Sequence, residues 1–142
     1  MDMELLKKQH EELECAAAAL LQAVVANDRK SVPQLRWRLA RSLIAHLAVE
    51  DKFLYPKAIA GNDRAVADLA LAFQQEMGGL ADAFSKHMSN WTDQKITDDW
   101  PGYSAEIKHI LACLGQRIER ENEELYPLFE GKSLAPKRRL AG

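Results

Sequence analysis

The chain is poor in the features that mark most specialised proteins. Its 142 residues hold two cysteines, too few for a secreted disulfide scaffold, so a reducing cytosol is the expected compartment. Neither charge sign dominates: the formal net charge of −2 provides no global field for nucleic acid or an anionic membrane. The longest apolar run, Cys15 to Val25, is interrupted by Gln22 and is far too short to span a bilayer. Acidic residues among the first fourteen do not fit the positive start of a signal peptide. No stretch alternates apolar and polar residues for long, which argues against strands. There is no nucleophile triad and no phosphate-binding glycine loop. What remains is 47% hydrophobic and 28% charged, the mix of one globular domain able to bury a single core.

The periodicity is helical almost throughout. Leu6, His10, Leu13, Ala17, Leu20 and Val24 form a seam from about residue 3 to 26. After Asn27-Asp28, Pro33 suits the first turn of a second helix. That helix carries Leu35, Leu39, Ser42, His46, Val49 and Phe53 and ends near Gly61-Asn62. Asp63 is placed to cap a third helix, whose seam runs through Val66, Ala70, Phe73, Met77, Leu80, Phe84, His87 and Trp91. Thr97 to Gly102 reads as a break, and a fourth helix follows with Ile107, Ile110, Leu114, Arg117, Glu121 and Leu125. Four such helices joined by short connections predict an all-α, up-down-up-down antiparallel four-helix bundle over residues 1–131. Residues 132–142, with Lys137-Arg138-Arg139, read as a basic, flexible tail.

Within this frame the chain nearly repeats itself. Glu50-Asp51-Lys52-Phe53-Leu54-Tyr55-Pro56 returns 71 positions later as Glu121-Asn122-Glu123-Glu124-Leu125-Tyr126-Pro127. One turn ahead of each glutamate the copies differ, with His46 before Glu50 but Arg117 before Glu121. Upstream, Gln9-His10-Glu11-Glu12-Leu13 has its counterpart in Glu76-Met77-Gly78-Gly79-Leu80, and again only the first copy has histidine. Counting along each helix places His10, His46, Glu50, Met77, Arg117 and Glu121 in one layer near one end of the bundle. His46 and Glu50, four apart, project from one helical face. Two imidazoles and two carboxylates suit iron, manganese or zinc. One metal on His10, His46, Glu50 and Glu121 is one expectation. The other is a metal-free layer in which Arg117 pairs with Glu50 and Glu121.

These motifs resemble the hemerythrin-like, HHE-type cation-binding domains of the bacterial type, over essentially the whole chain. The resemblance rests on Gln9-His10-Glu11-Glu12, on His46-x-x-x-Glu50 with Leu54-Tyr55-Pro56, and on Glu121 with its own Leu-Tyr-Pro. In that family five histidines and two carboxylates hold a non-haem di-iron centre. Carried over, His10 and His46 serve one metal, and Glu50 and Glu121 are the bridging carboxylates. The histidine positions of the other metal fall on Met77 and Arg117; a guanidinium cannot ligate, so a di-iron centre and reversible oxygen binding are not expected. The resemblance implies binding or sensing of oxygen, nitric oxide or iron rather than turnover, with a small diatomic ligand, a metal ion or a protein as partner.

Other polar residues receive structural readings. His87, ten residues past Met77, lies roughly 15 Å deeper and belongs to the far end near Trp91. His109 reads as a surface residue and Glu76 as a weak substitute ligand beside the layer. Cys15 and Cys113 read as two small buried residues, with a redox disulfide between them as the sharper alternative. Tyr-Pro inside the second and fourth helices should free a carbonyl one turn earlier and bend the axis. The glycine pair after Met77 is costly in mid-helix and implies close approach of a neighbour or access to the layer.

Overall fold

The computed structural model describes residues 2–131, which leaves the basic tail outside the described residues. All regular structure among these residues is helical: α1 (Met3–Val25), α2 (Val32–Val49), α3 (Tyr55–Ala60), α4 (Arg64–Met77), α5 (Leu80–Asn90), α6 (Asp93–Asp98), α7 (Trp100–Arg120) and α8 (Tyr126–Phe129). Two π-helical turns, Glu50–Leu54 and Glu121–Leu125, join α2 to α3 and α7 to α8 without a break in the rod. Packing closes a ring: α1 lies on α2 and α7, and α5 lies on the same two helices. No helix among the described residues is long and apolar enough to cross a membrane.

Local chemistry sets the boundaries. Asp2 caps α1 by accepting from Leu5 N–H, Pro33 occupies the first turn of α2, and Asp63 caps α4 through Ala65 and Val66 N–H. Asp99 caps α7 by accepting from Gly102 N–H at 3.0 Å. The predicted break over 97–102 is thus narrower than expected, and the residues just before it form the short helix α6, whose Thr92 cap was not read from the sequence. The predicted third helix is interrupted at Gly78-Gly79 into α4 and α5. A Cβ at Gly78 would collide with the Gln74 carbonyl, so glycine is what allows the tight step between the two helices.

The Tyr-Pro steps produce π-turns. Pro56 has no N–H for the carbonyl four residues back, and Tyr55 N–H donates instead to Glu50, five residues back. The second copy repeats the pattern, with Tyr126 N–H donating to the Glu121 carbonyl. Widening the turn moves the buried face by a residue. Leu54 is drawn inside, while Phe53, expected on the seam, stands 61% exposed. Ser42 is likewise outside; α2 buries Arg36, Leu39, Ala40, Leu43, His46 and Leu47. The expected seam stepped at the heptad period, whereas a straight helix drifts away from it.

The core has three parts. The largest gathers Leu13, Leu20, Leu39, Leu43, Leu47, Phe84, Tyr103 and Leu114. Two smaller clusters lie beyond it, one around Tyr55, Ala70, Phe73 and Leu125 and the other around Leu6, Leu54 and Tyr126. Along α1 the chain passes from Leu6 to Leu13 through His10. Along α2 it passes from Leu47 to Leu54 through Glu50, and along α7 from Leu114 to Leu125 through Arg117 and Glu121. A buried polar layer therefore separates the main core from the smaller clusters.

Candidate metal centre

His10, His46, Glu50 and Glu121 meet in this layer, all buried, with one donor atom from each within 4.8 Å of the others. The π-turns begin at the two glutamates, so the widened backbone presents both carboxylates to the interior. His10 Nε2 lies 3.1 Å from Glu121 Oε1 and 3.7 Å from Glu50 Oε2, and His46 Nε2 lies 3.3 Å from Glu50 Oε1. The other ring nitrogens point away from the cluster. His10 Nδ1 is 2.7 Å from Asn122 Oδ1, and His46 Nδ1 is 2.7 Å from Gln9 Oε1.

Arg117 flanks the carboxylates. Its Nε donates to Glu121 Oε2 at 3.0 Å, and its Nη2 donates to Glu50 Oε1 at 3.2 Å and Asp51 Oδ1 at 2.7 Å. Nη1 donates to the Met77 carbonyl at 3.3 Å. Met77 thus reaches the layer through its backbone, while its half-buried side chain packs on the cluster around Phe73. The repeated tyrosines cross over: Tyr55 OH donates to Glu121 Oε2 at 2.6 Å, and Tyr126 OH donates to Glu50 Oε2. The Tyr126 ring also stacks on His10, with centroids 4.8 Å apart.

The electrostatics follow from burial against neighbours. Burial pulls His10 down, but Glu121 and Glu50 outweigh it and raise its pKa to about 9. Burial pushes Glu50 up, yet the bonds to His10 and His46 and the Arg117 charge hold it well below the ordinary carboxylate range. Glu121 goes the other way, raised by burial and by the Glu50 charge. Burial and the adjacent carboxylates push both tyrosines upward, so they serve as donors.

Two buried atoms facing the cluster have no hydrogen-bond partner, His46 Nε2 and Glu121 Oε1. Donor atoms each about 2.0–2.2 Å from one ion lie roughly 3–3.5 Å apart. The contacts of 3.1 and 3.3 Å, unbridged by a hydrogen bond, fall at that spacing. The residues present therefore fit a cation of the iron, zinc or manganese type. Glu121 divides its two oxygens, Oε1 toward His10 and Oε2 toward Arg117 and Tyr55, whereas Glu50 Oε1 faces both His46 and Arg117, so the guanidinium and a cation share an atom at Glu50 but not at Glu121.

The remaining polar residues lie outside the layer. His87 sits in the far half, its Nδ1 2.6 Å from Glu106 Oε2, beside Trp91 as expected. Glu76 is exposed and pairs with Arg120 on the surface, so it is no substitute ligand. His109 is exposed, as expected. Cys15 is exposed rather than buried, because α1 turns Ala16 inward in its place; Cys113 is half-buried, and both are free thiols. Cys113 and His109 instead line a cavity of about 230 Å³ with Met77, Gly79 and Leu80, beside the α4–α5 step. Gln9 and Asn122, which hold the imidazoles, had no assigned role in the sequence reading. Arg36, buried with Nη2 donating to the Trp91 carbonyl at 2.6 Å, was missed altogether.

A family model, the hemerythrin HHE cation-binding domain, matches residues 1–129. Neither the curated proteins nor the solved structures contain a significant match to the chain.

Proposed function

Because the chain belongs to the hemerythrin HHE cation-binding family, we propose that it binds a single metal ion on His10, His46, Glu50 and Glu121. The observation that carries this reading is the pair of buried, unpartnered acceptors, His46 Nε2 and Glu121 Oε1, aimed into a cluster of four donor atoms. Arg117 takes the place of a second cation, offsetting charge on Glu50, Glu121 and Asp51. Iron is the ion we assign, zinc and manganese being compatible with the same donors. Held by these four residues, a ferrous ion would supply binding chemistry for a small diatomic ligand, and the role would be binding or sensing of oxygen, nitric oxide or iron in the cytosol. In this reading the long helices run as an up-down-up-down four-helix bundle, which brings the donors to one depth.

A specific observation favours a second reading. Arg117 bonds both Glu50 and Glu121, and with His10 protonated these two buried carboxylates are charge-compensated without metal. The chain would then be a metal-free regulatory or interaction module. Metal analysis of the full chain, purified without chelator and reconstituted with iron(II), separates the two. Occupancy close to one ion per chain supports the metal centre, and near zero establishes the ion-pair layer. Replacing Met77 and Arg117 together with histidine should raise occupancy to about two. Unchanged occupancy would show that these positions do not face a second site.

A further inference from the structure

The two imidazoles of the layer are held from behind by neutral amides, each supplied by the neighbour of another ligand. Gln9 precedes His10 in the chain but reaches His46 on α2. Asn122 follows Glu121 but reaches His10 on α1. Two of the ligand-bearing segments thus each orient an imidazole carried by a different helix. A histidine that gives Nε2 to a cation keeps its hydrogen on Nδ1 and needs an acceptor there. An amide oxygen supplies that acceptor and, unlike a carboxylate, adds no negative charge.

Charge is what this choice controls. Glu50, Glu121 and the flanking Asp51 bring three negative charges, and Arg117 returns one positive. Carboxylates behind both imidazoles would add two more negative charges and make the rings more basic, which favours a trivalent ion. Gln9 is half-buried and Asn122 exposed, so both stand between the layer and solvent, outside the packed core.

We propose that Gln9 and Asn122 are positioning residues of the metal centre, holding His46 and His10 through Nδ1–H so that both Nε2 atoms face the carboxylates, and that their neutrality biases the site toward a divalent ion. This rests on the metal reading above, and the test separates the two claims. In nitrogen-15 spectra of the metal-free full chain, both Nδ1 protons should be protected from solvent exchange. Gln9→Met should release only that of His46, and Asn122→Leu only that of His10. If neither substitution changes either proton, the positioning claim is overturned, whatever the metal content.

Cobalt(II) then reads the centre itself by its visible spectrum and by chelator competition. Gln9→Met and Asn122→Leu should each weaken binding roughly 10–100-fold, the range for loss of such an outer partner. Gln9→Glu and Asn122→Asp should restore tight binding and lower the iron(III)/iron(II) midpoint potential. Binding within twofold of wild type in all four variants, or an unmoved potential in the acidic pair, overturns the proposed role. A wild-type chain that protects both Nδ1 protons yet takes up no cobalt(II) would sink the metal reading and confirm only the hold on the rings.

Discussion

The protein builds histidine–carboxylate contacts in two places, and they behave in opposite ways. In the layer where α2 and α7 end, His10 and His46 face Glu50 and Glu121, two carboxylates with no contact with water. Near the starts of the same helices, His87 pairs with Glu106, whose side chain is 46% exposed. All three histidines are buried. Yet burial is overcome at His10, raised to about 9, while burial prevails at His87, which is lowered despite Glu106 and with the Arg36 charge adding to the effect. A carboxylate in a low-dielectric interior acts strongly on its neighbour, and one shared with solvent acts weakly. What distinguishes the first cluster is therefore the burial of its carboxylates rather than the presence of histidine.

Removing the cation at each end is the most severe test of this contrast. Arg117→Leu strands Glu50 and Glu121 without their guanidinium, a loss of about 3–5 kcal/mol of the kind seen when one partner of a buried ion pair is deleted. Urea denaturation of the metal-free chain measures it, and excess zinc(II) should return part of the stability by binding only the folded state. Arg36→Leu removes an equally buried guanidinium, but its partners are the Trp91 carbonyl at 2.6 Å and an exposed Asp93 at 3.9 Å. About 1–3 kcal/mol is expected there. Equal losses at the two ends would break the comparison.

The hydroxyls give a finer cut. Tyr55 and Tyr126 donate to the buried carboxyl groups of Glu121 and Glu50, so each phenylalanine replacement, which leaves a buried oxygen short of a donor, should cost about 1–3 kcal/mol. The Tyr103 hydroxyl, buried beside Arg36, makes no well-formed hydrogen bond. Tyr103→Phe should therefore shift stability by less than about 1 kcal/mol, since little is lost with the oxygen. Thermal unfolding of the three variants checks the order.

How far these clusters could be read from the sequence depended on how locally each was encoded. His46 and Glu50 at i and i+4, and the repeated Leu-Tyr-Pro, are short-range signals, and the depth of His10 and Glu121 follows from counting residues along a helix. All four side chains meet where that counting places them. Arg36 carried no such signal. It falls one residue off a seam stepped at the heptad period, and only tertiary contact with the end of α5 makes a buried guanidinium tolerable. Phe53 was misplaced because proline acts on the hydrogen bonds of the preceding turn, and a widened turn shifts which residues face inward. The amides of Gln9 and Asn122 were invisible because their partners are 37 and 112 residues away, on other helices. Local periodicity specifies depth and face; it does not specify which neighbour completes a hydrogen bond.

The pH dependence of the metal-free chain should separate the two clusters by sign. His10 has a folded-state pKa above its unfolded value of about 6.5, so the folded protein holds a proton that the unfolded chain releases. Its stabilising contribution is complete below pH 6.5 and is lost as the pH rises through about 9. His87 has a depressed folded-state value, so on acidification the unfolded chain binds a proton first, and stability falls as the pH drops below about 6.5. Urea midpoints measured from pH 5 to 10 should peak in between. Replacing His87 with glutamine should flatten the acid side alone. Loading the centre with zinc(II) should flatten the alkaline side, because a cation at Nε2 of His10 displaces the proton whose loss sets that limb, and should steepen the acid side, where the unfolded chain takes up protons that the metal-bound imidazoles cannot. If zinc(II) left the alkaline limb where it was, His10 would not be the group that sets it, and the buried carboxylates would act no more strongly on their histidine than the exposed one does on His87.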